Sequence, residues 1–132
     1  KEFKAGAESA THKSSAIPDD LMVLDIGPDS IKEVSAILSE CKTVIWNGPM
    51  GAFEIKPFDK GTNELAQLVA KLTKDGKVKS VAGGGDTVAA LDGTDSSKDF
   101  TYISTAGGAF LEWLEGKTLP GIAALEKNKK AA

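Results

Sequence analysis

The sequence predicts an α/β fold, with an open and mostly parallel sheet and helices on both of its faces. Short apolar runs rich in β-branched residues alternate with segments whose apolar residues recur every three or four positions. Glycines stand between most of these runs and the helical segment that follows. This alternation is typical of a parallel sheet whose ligands bind beyond the carboxyl ends of the strands. At 132 residues the chain fits one domain that can bury a core.

The first elements are a lead-in, a strand and a helix. The first twenty residues are small, polar and charged and predict irregular structure. The apolar run 21–26, stopped by a Gly-Pro pair, predicts a strand. Ser30 and Glu33 have capping-box spacing, so a helix is expected to begin there and to end near Cys41. Its apolar face would carry Ile31, Val34, Ile37 and Leu38.

The middle of the chain repeats the pattern. Residues 43–46 are continuously apolar or β-branched and predict a parallel strand covered on both faces. The segment from Lys60 to Gly76 predicts the clearest helix, with Gly76 as its C-cap glycine. Residues 78–82 predict the next strand and residues 87–91 the next helix.

The final third of the chain predicts one more strand, over residues 102–104, and a helix that opens at Phe110 and ends before Gly116. The polar segment 92–99 is short enough to be a surface connection. Trp46 and Trp113 lie within the apolar periodicity and are expected in the core. The lysine-rich end from residue 127 is expected to be frayed.

Composition narrows the possible partners and location. All 16 cations are lysines, and the net charge is −3, which argues against nucleic acid. Without arginine, anions would be held by backbone amides and lysines. No apolar run could span a bilayer, no leader is recognisable and the lone Cys41 cannot form an internal disulfide, so a cytoplasmic protein is expected. Because the chain begins at Lys1 without methionine, we expect a piece of something longer.

The glycine run 83–85 and the following Asp86 allow two interpretations. The glycines can make a tight turn with Asp86 as the N-cap of the next helix. Alternatively, bare backbone amides at a helix N-terminus can bind phosphate, with Asp86 as a ligand of Mg²⁺. Neither the Walker loop nor the dinucleotide fingerprint is complete here, so the motif alone leaves both interpretations open.

Two further loops have the same ambiguity. In the loop 47–54, glycines and Pro49 can simply turn the chain, leaving Glu54 as a surface acid. Functionally, Glu54 could take both hydroxyls of a ribose, and Asn47 can donate and accept hydrogen bonds. The segment 104–108 is either another strand-to-helix turn or a second anion cradle, and two adjacent cradles would suit phosphoryl transfer.

Four blocks of the sequence resemble the phosphoglycerate kinase family and occur in that family's order. They are residues 25–28 (DIGP), 46–54 (WNGPMGAFE), 83–87 (GGGDT) and 114–121 (LEGKTLPG). The resemblance implies a Rossmann-like fold and the C-terminal part of a two-domain kinase. Residues 1–132 would be part of a single C-terminal nucleotide-binding domain, with the N-terminal substrate domain and the earlier part of this domain absent.

The family resemblance also implies an activity. Phosphoglycerate kinase moves a phosphoryl group reversibly between 1,3-bisphosphoglycerate and ADP in glycolysis, giving 3-phosphoglycerate and ATP with Mg²⁺ on the nucleotide. The implied partners are therefore ADP or ATP, and 1,3-bisphosphoglycerate or 3-phosphoglycerate through the missing N-terminal domain. Neither nucleic acid nor a membrane is implied as a partner, and the full-length protein is expected to be a monomer.

The resemblance implies roles for the residues of the first loop. Glu54 would accept the ribose hydroxyls, Asn47 and Pro49 would line the path of the ribose and phosphates, and Ala52 would touch the base.

The same resemblance implies roles at the glycine run. Asp86 would hold Mg²⁺ on the nucleotide phosphates, and Thr87 would hydrogen-bond a phosphate oxygen. Gly84 and Gly85 would let the backbone approach the phosphates.

In the third loop, Gly107 and Gly108 would face the phosphoryl group in transit as the catalytic positions. Ala106 stands where the family has a glycine, and it would be strained if that position required a positive φ.

We expect no kinase activity from this piece alone, because the family's acid-binding arginines and phosphate-steadying lysines lie upstream. Such a piece should also expose sheet edges and apolar helix faces, which favours aggregation. The alternative function is a non-catalytic nucleotide- or phosphate-binding module. A purely structural role would leave Glu54 and Asp86 replaceable without loss of any ligand.

Overall fold

The computed structural model describes residues 2–129, which form a three-stranded sheet and a series of helices. The helices are α1 Pro28–Glu40, α2 Lys60–Lys74, α3 Gly85–Gly93, α4 Gly107–Leu114 and α5 Pro120–Lys129. The strands are β1 Thr43–Asn47, β2 Lys79–Gly83 and β3 Tyr102–Ser104. Single 3-10 turns lie at Ser14–Ala16 and Ser97–Asp99. No described helix has both the length and the apolar character needed to cross a membrane.

The sheet is parallel throughout, in the order β1-β2-β3. The register places Asn47 opposite Gly83, and Gly83 opposite Ser104. Because the strands are parallel, their carboxyl ends lie side by side at one edge. This edge, formed by Asn47, Gly83 and Ser104 and the loops that follow them, is called the carboxyl edge below. The predicted α/β fold with a parallel sheet is confirmed.

The core lies on one face of the sheet. Val44, Trp46 and Ala82 point to this face, where α1, α2 and α3 cover them. The amphipathic period of α2 was well predicted, since Leu65 and Val69 are both buried in the centre of the cluster. The remaining buried members of this cluster are Ile31, Ala66, Ala70, Leu72, Val78, Leu91 and Phe100.

The opposite face is covered only near the carboxyl edge. There Phe110 of α4 packs against Gly83, so closely that a Cβ at Gly83 would lie 3.3 Å from the Phe110 ring. Further along the same face Ile45 is 51% exposed and Tyr102 is 58% exposed. Helices on both faces are thus confirmed, with an uncovered apolar area left on the second face. Trp113 is exposed and stacks on Phe110, so its predicted place in the core is wrong.

The strand predicted over residues 21–26 is absent from the described structure, because its backbone groups have other partners. The Leu24 carbonyl accepts from Ala52 N–H at 2.8 Å. The Ile26 N–H donates to the carboxylate of its own neighbour, Asp25, also at 2.8 Å. Neither group is left to pair with a neighbouring strand, so the strand predicted from the apolar composition of this segment does not form.

The capping box predicted at Ser30 and the N-cap interpretation of Asp86 are wrong, whereas the glycine C-cap predicted at Gly76 is confirmed. Helix α1 begins at Pro28 after Gly27, with no side-chain cap, so Ser30 lies inside the helix and no capping box forms. Helix α3 has Gly84, not Asp86, as its N-cap. At the end of α2, Gly76 has φ +71° and donates to the Thr73 carbonyl, while the next amide donates to Leu72. This is the predicted glycine C-cap, in the form of a Schellman motif.

The end of the chain is only partly described. Helix α5 runs as far as Lys129. The rest of the lysine-rich end, for which we expect fraying, lies outside the described residues.

Candidate functional site

Two helices begin where the strands end. Helix α3 follows β2 after the single residue Gly84, and α4 begins at Gly107 shortly after β3. Gly84 N–H donates to the Ser104 carbonyl at 3.3 Å, which joins the two turns. Two helix N-termini with free amides therefore open at the carboxyl edge, and both favour an anion.

The four site glycines divide into two kinds. Gly84 has φ +100°, and a Cβ at Gly107 would lie 2.5 Å from the Gly84 Cα, so these two are required by the backbone itself. Gly85 and Gly108 have nothing within 4 Å of an added Cβ. Open space beside Gly85 and Gly108 leaves their backbone accessible to a ligand.

Ala106 is not strained. Its φ is −103° and its ψ is 58°, outside the left-handed region that favours glycine. Its N–H donates to the Ser104 hydroxyl at 3.3 Å. Alanine therefore fits this turn without a positive φ.

Asp86 lies in the first turn of α3, where its negative charge suits the helix dipole. The side chain is exposed, and it forms no hydrogen bond or ion pair with the described residues. The part of the chain that the structure describes holds no group of three or more His, Cys, Asp or Glu residues able to bind a metal. A cation at Asp86 would therefore depend on oxygen atoms of a bound ligand.

Thr87 faces the protein interior. Its side chain is 1% exposed, and its Oγ1 accepts from Gly48 N–H at 2.7 Å. Asn47, beside Gly48, has its Oδ1 3.6 Å from the position that a Cβ at Gly84 would take. The loop after β1 and the turn after β2 are thus in direct contact.

The loop 47–54 leaves its two polar side chains available. Asn47 and Glu54 are both exposed, and neither side chain has a hydrogen-bond or ion-pair partner among residues 2–129. Pro49 and Ala52 are half-buried. The described contacts bring Asn47, Gly84 and Thr87 together, whereas no hydrogen bond or ion pair among residues 2–129 joins Glu54 or Asp86 to this group.

Asp25 holds the loop 47–54 and the start of α2 together, and only its place in a family block indicated a role for it from sequence. Its Oδ2 accepts from Gly61 N–H at 2.8 Å and so fixes the start of α2. A Cβ at either Gly51 or Gly61 would lie 2.5 Å from Asp25 Oδ1. The carboxylate is therefore wedged between the loop and the helix, and both contact positions must be glycine.

Two other features lie away from the glycine turns. A cleft of about 390 Å³ is lined by the lead-in segment and the starts of α1 and α2, including Leu24 and Lys60. At the far end of α3, the exposed Lys98 ammonium donates a hydrogen bond to the Asp95 carboxylate, which raises the pKa of Lys98. Neither feature lies among the residues that the sequence predicted for ligand binding.

These observations define an α/β protein with a parallel open sheet, whose candidate ligand site is the edge where three strands end. A family model described as phosphoglycerate kinase matches residues 1–117, and the chain belongs to the phosphoglycerate kinase family.

Curated relatives agree with this assignment. The chain is 60% identical over 126 residues to a phosphoglycerate kinase of Ruegeria sp. (strain TM1040), covering 96% of this chain and 32% of that protein. It is 62% identical over 125 residues to the phosphoglycerate kinase of Rhodospirillum centenum, covering 95% of this chain and 32% of that protein. The chain thus spans about a third of the length of the curated relatives it matches.

Solved structures show the same fold. A phosphoglycerate kinase from Coxiella burnetii superposes with a TM-score of 0.83 at 43% identity, over 92% of this chain and 30% of that one. The enzyme from Pyrococcus horikoshii superposes with a TM-score of 0.69 at 35% identity, over 80% of this chain and 25% of that one.

Proposed function

We propose that this chain is the nucleotide-binding portion of a phosphoglycerate kinase, from its C-terminal domain. The complete enzyme would transfer a phosphoryl group reversibly between 1,3-bisphosphoglycerate and ADP, giving 3-phosphoglycerate and ATP. The observation that carries the proposal is the pair of helix N-termini at the carboxyl edge, together with the exposed carboxylates of Asp86 and Glu54, which have no partner among residues 2–129. Family membership supports the reaction class.

The phosphates of the nucleotide would lie at the start of α3. The open space beside Gly85 lets a phosphate approach the backbone, and Gly84 gives the turn its required positive φ. Asp86 is exposed and unpaired among residues 2–129, which fits a ligand of Mg²⁺ on those phosphates. The bound Mg²⁺ would neutralise part of the phosphate charge. Thr87 would donate its hydroxyl hydrogen to a phosphate oxygen, since its Oγ1 already accepts a hydrogen bond from Gly48 N–H.

The nucleoside would lie along the loop 47–54. Glu54 would accept hydrogen bonds from the ribose hydroxyls, because its carboxylate is exposed and has no partner in the described part of the chain. Asn47 and Pro49 would line the path from ribose to phosphate, and Ala52 would contact the base. The contact between Asn47 and Gly84 supports one continuous surface for both halves of the nucleotide.

Gly107 and Gly108 would face the phosphoryl group in transit, with backbone amides at the start of α4 stabilising its charge. The chain has no arginine, so the cations that clamp the transferring group would come from elsewhere in the longer protein. We therefore propose that this piece alone has no kinase activity. The full-length enzyme would be a cytoplasmic monomer, without nucleic acid or a membrane as partner.

The first test is calorimetric titration of ADP into the chain, with and without Mg²⁺. We expect Mg²⁺ to strengthen binding about tenfold in the wild type, a gain of about 1.4 kcal/mol. Asp86→Asn should abolish this gain, because it removes the charge that holds the metal. The matched control is Asp92→Asn, which changes an exposed acid at the other end of α3 and should leave the gain intact.

Binding that Mg²⁺ strengthens equally in the wild type and in Asp86→Asn would contradict the metal assignment. A chain that is folded by circular dichroism but binds no ADP would contradict nucleotide binding by these residues alone. Nucleotide binding without turnover, in a full-length protein that carries this chain, would favour the non-catalytic binding module.

A further inference from the structure

The loop 47–54 is held through its backbone by two buried hydroxyl groups on different helices. Gly48 N–H donates to Thr87 Oγ1 at 2.7 Å, and Met50 N–H donates to Thr62 Oγ1 at 3.0 Å. The indole N–H of Trp46 donates to the Gly48 carbonyl at 2.6 Å. The N–H and the carbonyl of Gly48 are therefore both hydrogen-bonded, and so is the Met50 N–H.

The two threonines occupy equivalent places in the fold. Thr62 is the third residue of α2 and Thr87 is the third residue of α3. Thr62 is 0% exposed and Thr87 is 1% exposed. A buried hydroxyl is costly unless it is hydrogen-bonded, so removing either acceptor would leave a loop amide without its partner.

A third contact continues the pattern. Ala52 N–H donates to the Leu24 carbonyl at 2.8 Å, so three alternate amides of the loop are bound by three different segments. The side chains of Asn47 and Glu54, in contrast, are exposed and have no partner in the described residues. The loop thus has a fixed backbone and free polar side chains, as a preorganised binding surface requires.

We propose that Thr62 is a positioning residue for nucleotide binding, acting with Thr87 to hold the loop 47–54 so that Asn47 and Glu54 are placed before the ligand arrives. This inference rests on the proposed function, and it adds a residue that neither the family blocks nor the glycine motifs indicate. Thr62 does not touch the ligand. Its effect passes through the Met50 amide to the loop.

The test uses a full-length chimera in which this chain replaces the matching third of the Ruegeria relative. Thr62→Val keeps the shape of the side chain but removes the acceptor for Met50 N–H. Without this acceptor the loop would be ordered only when ADP binds, at a cost of about one hydrogen bond. We therefore expect the KM for ADP to rise about tenfold. The KM for 1,3-bisphosphoglycerate should stay within about twofold of wild type, and Thr62→Ser should restore most of the ADP affinity, since serine keeps the hydroxyl.

The matched control is Thr73→Val, near the other end of the same helix. The Thr73 hydroxyl donates to the Val69 carbonyl and lies 2.8 Å from Ser80 Oγ, without contact to the loop. It should lower the thermal stability of the chimera as Thr62→Val does, yet leave the KM for ADP unchanged.

Each outcome has a separate meaning. Equal ADP KM values for Thr62→Val and Thr73→Val, or no rescue by Thr62→Ser, would overturn the positioning role and leave the proposed function intact. A well-folded wild-type chimera that neither binds nor uses ADP would overturn the proposed function, and this inference with it.

Discussion

At the scale of single residues, the site depends on glycines for two different reasons. Gly107 has no room for a side chain, because its Cβ would lie 2.5 Å from the Gly84 Cα, and Gly84 is required by its φ of +100°. Gly108 and Gly85 adjoin open space, so neither the local packing nor a positive φ requires glycine there. Sequence alone could predict that glycines cluster here, but it could not separate these two kinds, because the distinction depends on which backbone lies opposite.

A pair of alanine substitutions in α4 tests this distinction. Gly107→Ala should destabilise the protein by about 2 kcal/mol, because its Cβ would lie 2.5 Å from the Gly84 backbone. Gly108→Ala should be neutral or slightly stabilising, since alanine favours the helix and nothing lies within 4 Å. Urea denaturation of both variants measures the difference. Equal stabilities would mean that the two turns do not pack as described.

Asp25 illustrates a residue whose role sequence patterns cannot reveal. The contact that matters joins its carboxylate to Gly61 N–H, 36 positions away in the chain. Local rules predict a strand around it, because residues 21–26 are apolar apart from Asp25 and are followed by Gly-Pro. The tertiary hydrogen bonds of Leu24 and Asp25, with the local bond from Ile26 N–H to the Asp25 carboxylate, override that local preference.

At the scale of secondary structure, helices with strong periodicity were predicted best. The apolar face of α2 and its glycine C-cap were both readable, since each follows from a local rule of helix geometry. The starts of α1 and α3 were misjudged, because serine and aspartate are frequent caps but glycine occupies the cap at both sites. Local rules therefore predict which segments are helical better than they predict where each helix begins.

The C-cap of α2 gives a prediction at this scale. Gly76→Ala should cost about 1 kcal/mol of stability, because alanine at φ +71° is strained. Gly93→Ala, at the last residue of α3 with nothing within 4 Å, is the control and should be neutral or stabilising by a few tenths of a kcal/mol, since that glycine has no positive φ. Thermal unfolding distinguishes them. A Gly76→Ala variant as stable as wild type would argue against the Schellman motif.

At the scale of the whole molecule, the sheet is covered unevenly. One face lies under α1, α2 and α3, whereas on the other face Ile45 and Tyr102 are more than half exposed. Parallel sheets are normally buried on both sides. The exposed apolar side chains on this face therefore form a surface suited to burial against other polypeptide.

This uncovered face predicts self-association of the isolated chain. We expect sedimentation velocity to show mass rising with protein concentration, because apolar sheet surface would be buried between copies. The double variant Ile45→Thr, Tyr102→Thr should reduce association while keeping residues suited to a strand. Ile37→Thr, which alters an equally exposed residue on α1, is the control and should have little effect. A wild-type chain that stays monomeric at all concentrations would contradict the prediction.

The order of the described strands in the sheet, β1-β2-β3, is also their order along the chain, so β2 and β3 each pair with the strand made just before them. Such local pairing lets the sheet assemble progressively as the polypeptide leaves the ribosome. The hydrogen bond between Met50 and Thr62 spans 12 positions, whereas the bond between Gly48 and Thr87 spans 39. The loop 47–54 would accordingly acquire its final shape only after α3 has been synthesised, which places competence for ligand binding late in the biogenesis of the protein.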